Sequence, residues 1–548
     1  MTEDLWYKNA VIYSLDVDTF MDKNGDGVGD FAGLAAKLHY LHALGVDTIW
    51  LAPFHPSPNE DNGYDIKDYY GIDPRHGSSG HFVEFIHHAK KLGIRVIIDL
   101  VINHTSDQHP WFQEARKDPD SKYRNWYVWS KKKPAQADKG MVFPGVQKST
   151  WTYDKEAKAY YHHRFYKHQP DLNMDNPEVR EEIRRIMGYW LQLGINGFRV
   201  DAVPFIIESS NASQSKKLHF DYLHEMRRFL QWRTADAIML GEANILPKEN
   251  MQYFGEQGEG MHVMFNFFVN QHLFYALASS DARPLAKALE KTRTHFAGSQ
   301  WANFLRNHDE LDIDRLPEKQ KEKVFQRFGP DKNMRLYDRG IRRRLSPMLG
   351  NRPQTELAYS AMFSFPGTPV IRYGDEIGMG DDLGLEERNA VRTPMQWSAD
   401  DNAGFSMNSK PVHPVINNGP YAYEHVNVDV QRRTPDSLLN WMTSLIRLRK
   451  ECPEIGSGEW NLLDAGHPSI LAIHYHYKGS SLVIIHNFDE NAREAKLKLQ
   501  RKNEVKLIDL MNVSENAADE KGFHRISLEA YGYRWFRAGD ISHLLSQK

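Results

Sequence analysis

The chain has 548 residues, with 69 Lys and Arg against 72 Asp and Glu for a formal charge of -3, and 12 % of its residues are aromatic. So balanced a charge excludes electrostatic capture of nucleic acid or of an anionic membrane surface, which takes a strongly basic face. A single cysteine, Cys452, excludes an internal disulfide, a thiolate zinc site and Cys-x-x-Cys redox chemistry. The N-terminus is acidic where a secretory leader would be basic and then apolar, and no run reaches about 18 apolar residues, so a cytoplasmic protein is expected.

In chain order, residues 10–17 read as a first strand and 46–52 as a second, with a helix over 34–44 between them, closed by Gly45. Residues 82–92 repeat the helical spacing, closed by Gly93, and 94–101 form a third strand. Recurring strand, helix, glycine and strand predict βαβ units. The rhythm breaks after His104 in a stretch rich in aromatic, His, Lys and Pro residues, which reads as an inserted domain. It resumes with a helix over 178–193 and a fourth strand from Gly197; residues 237–243, 261–265, 300–305 and 368–373 continue the series. Eight strands predict an α/β fold, a (β/α)8 TIM barrel, whose last helix covers 437–450. Short alternating runs beyond Gly456 predict an antiparallel β domain. The expected boundaries are 1–104 and 178–455 for the barrel, 105–177 for the insertion, and 456–548 for the C-terminal β domain, which the family resemblance given below implies is a β-sandwich.

The stretch Gly197-Phe-Arg-Val-Asp-Ala-Val-Pro204 carries a charge pair inside an apolar strand. Alternation puts Arg199 and Asp201 on one side, where the guanidinium can hold the carboxylate ionised as a nucleophile; read alone, the pair is equally a structural ion pair. Barrel strands converge at their C-terminal ends, which gathers Asp99, Asn103, His104, Arg199, Asp201, Glu242, His308 and Asp309 at one mouth. Two of these carboxylates suffice for retaining glycoside transfer, one attacking the anomeric carbon and one protonating the leaving oxygen. Asp201 has Arg199 beside it, whereas Glu242 has no cation adjacent in sequence and suits the protonated role.

Asp99-Leu-Val-Ile-Asn-His104, Gln169-Pro-Asp-Leu-Asn173, Gly197 to Ala202, Gly241-Glu-Ala-Asn244 and Arg306-Asn-His-Asp309 resemble the ordered sequence regions of the α-amylase superfamily, glycoside hydrolase family 13. The resemblance implies a catalytic triad of Asp201 as nucleophile, Glu242 as acid/base and Asp309 as a stabiliser of the distorted sugar, with His104 and His308 on the same glucosyl unit. Asp61-Asn-Gly-Tyr-Asp-Ile66 is similar to the exo-acting α-glucosidase branch, implying Tyr64 under the terminal glucose and Asp61 with Arg392 closing the pocket beyond it. Stretches at 100–112, 168–173 and 374–381 look like the trehalose synthase branch, implying a small α-glucoside substrate and interconversion of maltose and trehalose with side hydrolysis. The alternatives are an α-glucosidase or transglucosylase on small α-glucosides and a non-catalytic sugar-binding relative.

Asp22-Lys-Asn-Gly-Asp-Gly-Val-Gly-Asp30 sets oxygen ligands at alternate positions around glycines, as in a loop wrapping calcium, although a solvated acidic turn has the same composition. The EF-hand reading fails because position twelve is Gly33. Its resemblance to the oligo-1,6-glucosidase type implies a structural Ca2+ held by Asp22, Asn24, Asp26, Asp30 and the Val28 carbonyl; Asn103 and Asp171 suggest a second ion, and no organic cofactor is expected. One departure bears on closure of the site. The family pattern has Tyr four residues after the nucleophile, tied to acidic residues, where this chain has Phe205 with Glu310 and Asp314, and the following loop, 206–217, is short.

Overall fold

The structure, a computed structural model, describes residues 5–209, 218–293, 297–499, 506–512 and 514–539. Most of the loop noted above, 210–217, lies outside the described residues. Eight parallel strands close into a barrel: β1 (Ile12–Leu15), β2 (Thr48–Leu51), β3 (Arg95–Leu100), β4 (Gly197–Val200), β5 (Ile238–Gly241), β6 (Val263–Phe265), β7 (Gln300–Phe304) and β8 (Thr368–Arg372). They are apolar runs because both faces are buried, one against the outer helices and one inside the barrel. Ile12, Trp50, Ile97, Leu240, Phe265 and Phe304 fill the interior, while Ile49, Leu51, Phe198 and Val200 belong to the outer core. On β4 the period of two therefore sends Arg199 inward between two outward apolar residues. Gly197 opens that strand at φ 149, and a Cβ there would run into the Ile238 carbonyl oxygen, so the close approach of β4 to β5 needs glycine.

The helix expected over 34–44 is two, Phe31–Ala36 and Leu38–Leu44, because Asp30 caps the first and Lys37 sits at φ -97, ψ 1 between them. Gly45 ends the second at φ 97. The helix before β4 spans Pro177–Gln192, and the one after β8 spans Leu438–Lys450 with Ser437 as its N-cap.

Between His104 and Pro177 the chain forms a helix, Pro110–Lys117, and a three-stranded antiparallel sheet of Trp129–Ser130, Ala159–His162 and Trp151–Asp154. Bridges from His104 to Asp171 and from Tyr127 to Leu172 tie its exit to its entry. A second excursion, which periodicity did not reveal, leaves β7: Leu311–Asp312, a helix at Glu318–Phe328, and the short strands Arg335–Leu336 and Gly340–Ile341. Its strands are two residues long, too short for an alternation signal.

The C-terminal strands form a six-stranded sheet facing a two-stranded one, Arg493–Lys498 with Phe523–Leu528. Alternate residues Ala472, Val483, Ile485, Leu497, Ile526 and Phe536 pack between the sheets. The intervening Ile473, Tyr475, Ile484 and Trp535 join the main core, where Trp535 Nε1 donates to Ser360 Oγ at 2.9 Å and the Tyr475 hydroxyl to the Ser364 carbonyl at 2.6 Å.

Candidate active site

Arg199 holds three carboxylates with one guanidinium. Its Nη1 lies 2.5 Å from Asp99 and 2.6 Å from Asp201, and its Nη2 lies 2.7 Å from Glu242. The register explains the first contact, since Asp99 on β3 pairs with Arg199 on β4. Trp50 Nε1 donates to the other Asp99 oxygen at 2.9 Å, and its ring lies 5.2 Å from the guanidinium. The turn after β4 brings Ala202 to φ 49, ψ 40, from where its N–H donates to Glu242 Oε2 at 3.3 Å. A non-glycine residue in that region costs about 1–3 kcal/mol and is held here by its bond to Glu242, the residue after β5.

These contacts correct the expectation for charge. Glu242 has no neighbouring cation in sequence, yet it shares Arg199 with Asp201. Burial pushes Asp201 up to about 6 against the pull of Arg199, and pushes Glu242 up to about 7, with Asp201 and Asp309 adding to the rise. Burial likewise lifts Asp99 to about 6. One positive charge divided among three largely desolvated carboxylates does not hold any of them low, but it leaves Glu242 the more readily protonated of the pair.

Tyr64 lies over the same floor. Its hydroxyl is 2.8 Å from His308 Nε2, its ring stacks on that imidazole at 5.5 Å between centroids, and its carbonyl is 3.1 Å from His104 Nε2. Burial keeps both histidines below their ordinary value, hence neutral. Asp309 is different: although burial opposes ionisation, the His308 ring 3.2 Å away and the guanidiniums of Arg388 and Arg392 hold its carboxyl far below the usual range. Arg388 is the cation that sequence reasoning missed. It donates to Asp61 Oδ1 and to Asp309 Oδ1, at 2.7 Å each, whereas Arg392 reaches Asp309 at 3.2 Å and donates Nε–H to the His308 carbonyl. The partner of Asp61 is therefore Arg388 rather than Arg392. Arg388 lies in the 3-10 turn Glu387–Val391 and Arg392 just beyond it, and no motif or spacing in the sequence singled Arg388 out.

These groups line a cavity of about 420 Å³, within the roughly 300–1,000 Å³ typical of small-molecule sites. Phe205, Glu310 and Asp314 also line it. The Phe205 ring lies 4.7 Å from the Arg164 guanidinium and edge-on to Phe165 at 5.6 Å, and Arg164 pairs with Glu208. Glu310 and Asp314 have their own cations, Arg339 at 3.1 Å and Lys321 at 3.5 Å.

The Asp22 to Asp30 loop has the oxygen chemistry that a hard cation takes. Asp22 accepts from Gly25 N–H at 2.7 Å and Gly27 N–H at 2.8 Å, Asp26 from Val28 N–H at 2.8 Å, and Asp30 from Gly33 N–H at 2.7 Å. The turn is thus curled by hydrogen bonds, and among the described residues no three His, Cys, Asp or Glu side chains are grouped to hold a metal. A Ca2+ here would draw on the Asn24 amide and Val28 carbonyl as well as on carboxylates. The second site finds less support: Asn103 donates its amide to Asp171 at 3.1 Å, and Asp171 also pairs with His162 at 2.8 Å.

Residues 12–329 and 339–458 match the α-amylase catalytic domain. The chain belongs to the α-amylase family, glycoside hydrolase family 13. Residues 479–537 match the C-terminal domain of sucrose hydrolase-like proteins. This α-amylase-family chain is 41 % identical to a trehalose synthase of Thermus thermophilus over 99 % of its own length but only 56 % of that relative's, and 38 % identical to a trehalose synthase of Pimelobacter sp. (strain R48) over 98 % and 96 %. An isomaltulose synthase variant from Erwinia rhapontici NX5, solved with its natural substrate sucrose, superposes with a TM-score of 0.78 at 26 % identity, covering 98 % of this chain and 100 % of that one. Among the described residues no helix is long and apolar enough to cross a membrane.

Proposed function

We propose that this α-amylase-family enzyme interconverts maltose and trehalose, with hydrolysis as a side reaction, through a covalent glucosyl ester on Asp201. The observation that carries the reading is the Arg199 clasp, which sets Asp201 and Glu242 side by side on the floor of a cavity closed beyond Tyr64 by Asp61 and Arg388. Asp201 attacks the anomeric carbon while protonated Glu242 delivers its proton to the leaving glycosidic oxygen. Free glucose then turns in the cavity and returns through another hydroxyl, whose proton Glu242 takes back. Asp309, kept ionised, accepts from hydroxyls of the bound glucosyl unit, and Tyr64 stacks beneath it. A pocket closed at one end favours short substrates, and the two trehalose synthases over nearly the whole chain support the choice of reaction. We place the enzyme in the cytoplasm, and the Asp22 to Asp30 loop is the proposed seat of a structural Ca2+.

The test is incubation of purified protein with maltose and, separately, trehalose, followed by chromatography. Each disaccharide should yield the other with some glucose. Glucose alone from both would make the enzyme a hydrolase of small α-glucosides, and no product would refute the catalytic reading.

A further inference from the structure

Two segments far apart in sequence meet on the connection that follows β8. Tyr166, from the inserted domain, and Tyr337, from the excursion after β7, both donate to Glu387 Oε2, at 2.8 and 3.0 Å. Their hydroxyls are 3.2 Å apart, and the Phe143 ring lies 4.7 Å from each of their rings. Burial pushes both phenols above their ordinary value, so each keeps the proton it donates. Arg342 fixes the backbone beneath, donating to the carbonyls of Leu383 at 3.0 Å, Leu385 at 2.5 Å and Glu387 at 3.2 Å.

The grip is made at strained backbone. Glu387 sits at φ 44 and Tyr337 at φ 55, left-handed conformations that residues with a Cβ keep only where their surroundings over-determine them. The residue that follows Glu387 is Arg388, which holds Asp61 and Asp309 together across the cavity and packs its guanidinium 5.3 Å from the Phe143 ring. A side chain that fixes residue 387 therefore aims residue 388.

We propose that Glu387, gripped by Tyr166 and Tyr337, is a positioning residue: it latches the inserted domain and the β7 excursion onto the loop after β8, aims Arg388 at Asp61 and Asp309, and thereby sets how much glucosyl-enzyme is lost to water. The proposal rests on the isomerase reading above. In either outcome the ester bond from Asp201 to the anomeric carbon breaks, a new bond forms to the oxygen of glucose or of water, and the proton from that oxygen passes to Glu242. The latch changes only which oxygen arrives, because an open lid admits water and releases glucose.

Tyr166→Phe, Tyr337→Phe and their double variant remove hydroxyls while keeping the rings, and Glu387→Ala and Glu387→Gln address the acceptor. On maltose the double variant and Glu387→Ala should raise the ratio of free glucose to trehalose by about tenfold, the scale of losing a hydrogen bond to a charged group. Glu387→Gln, which keeps an acceptor oxygen, should fall between Glu387→Ala and wild type. A merely structural tether would lower Tm and leave the ratio unmoved. An unchanged ratio in the double variant and in Glu387→Ala, with a wild type that makes trehalose, overturns the latch and leaves the isomerase reading standing. A wild type that makes no trehalose overturns that reading, and with it the partition assigned to Glu387.

Discussion

Replacing Arg199 by Met should destabilise the protein in a way that grows with pH. The guanidinium contacts Asp99, Asp201 and Glu242 at 2.5 to 2.7 Å; Arg199 and Asp99 are fully buried, while Asp201 and Glu242 face the cavity. At an effective dielectric constant near 20 each contact is worth about 4 kcal/mol before desolvation is counted, and removing one partner of a buried pair typically costs about 3–5 kcal/mol. With about 2.1 cal/mol/K of unfolding entropy per residue over 548 residues, Tm should fall by about 3–4 °C. The sign with pH follows from linkage. Folded Asp99 and Asp201 titrate at about 6 and Glu242 at about 7, above their ordinary 3.8 and 4.5, so the folded state keeps protons that the unfolded chain has released. Their contribution to stability is therefore complete below about pH 4 and declines as pH rises through 6 to 7. Without Arg199 all three rise further, and the decline extends above pH 7. Scanning calorimetry of wild type and Arg199→Met at pH 5 and pH 8 should give a small difference in Tm at pH 5 and the full one at pH 8. Equal differences at the two pH values would show that the clasp is not electrostatic.

Asp201→Asn and Glu242→Gln should each abolish turnover while keeping a cooperative melt, and the wild-type kcat/KM should follow a narrow bell between about pH 6 and 7, set by ionised Asp201 and protonated Glu242; a flat profile over that range would remove the pair from the chemistry. Phe205→Tyr should alter the glucose-to-trehalose ratio by less than about twofold, since Glu310 and Asp314 are already paired, whereas Phe205→Leu, which loses the contact with Arg164, should raise hydrolysis several-fold, consistent with about 1–2 kcal/mol for a partly desolvated cation–π pair. Excess Ca2+ added to chelator-treated protein should raise Tm through binding to the folded state alone, and an unchanged melt would leave the Asp22 to Asp30 turn to its hydrogen bonds.

Local order determined much of this protein. Period-two alternation in Gly197 to Ala202 was enough to turn Arg199 inward, and helix–glycine–strand spacing was enough to count the barrel strands, because backbone geometry fixes both periods wherever the segment lies. The residues at the strand ends could be named for the same reason: a parallel barrel delivers every strand's C-terminal end to one mouth. Contacts between distant segments followed no such rule. That Glu242 shares the guanidinium of Arg199, that Arg388 rather than Arg392 faces Asp61, and that Phe205 packs under Arg164 depend on how loops of unequal length cross above the mouth. A carboxylate's charge likewise depends on burial, and the packed barrel lifts Asp201 to about 6 where its sequence neighbour alone would hold it low. Tyr166, Phe143, Tyr337 and Glu387 come from three excursions with no common period, and only the closed tertiary structure brings them onto one carboxylate.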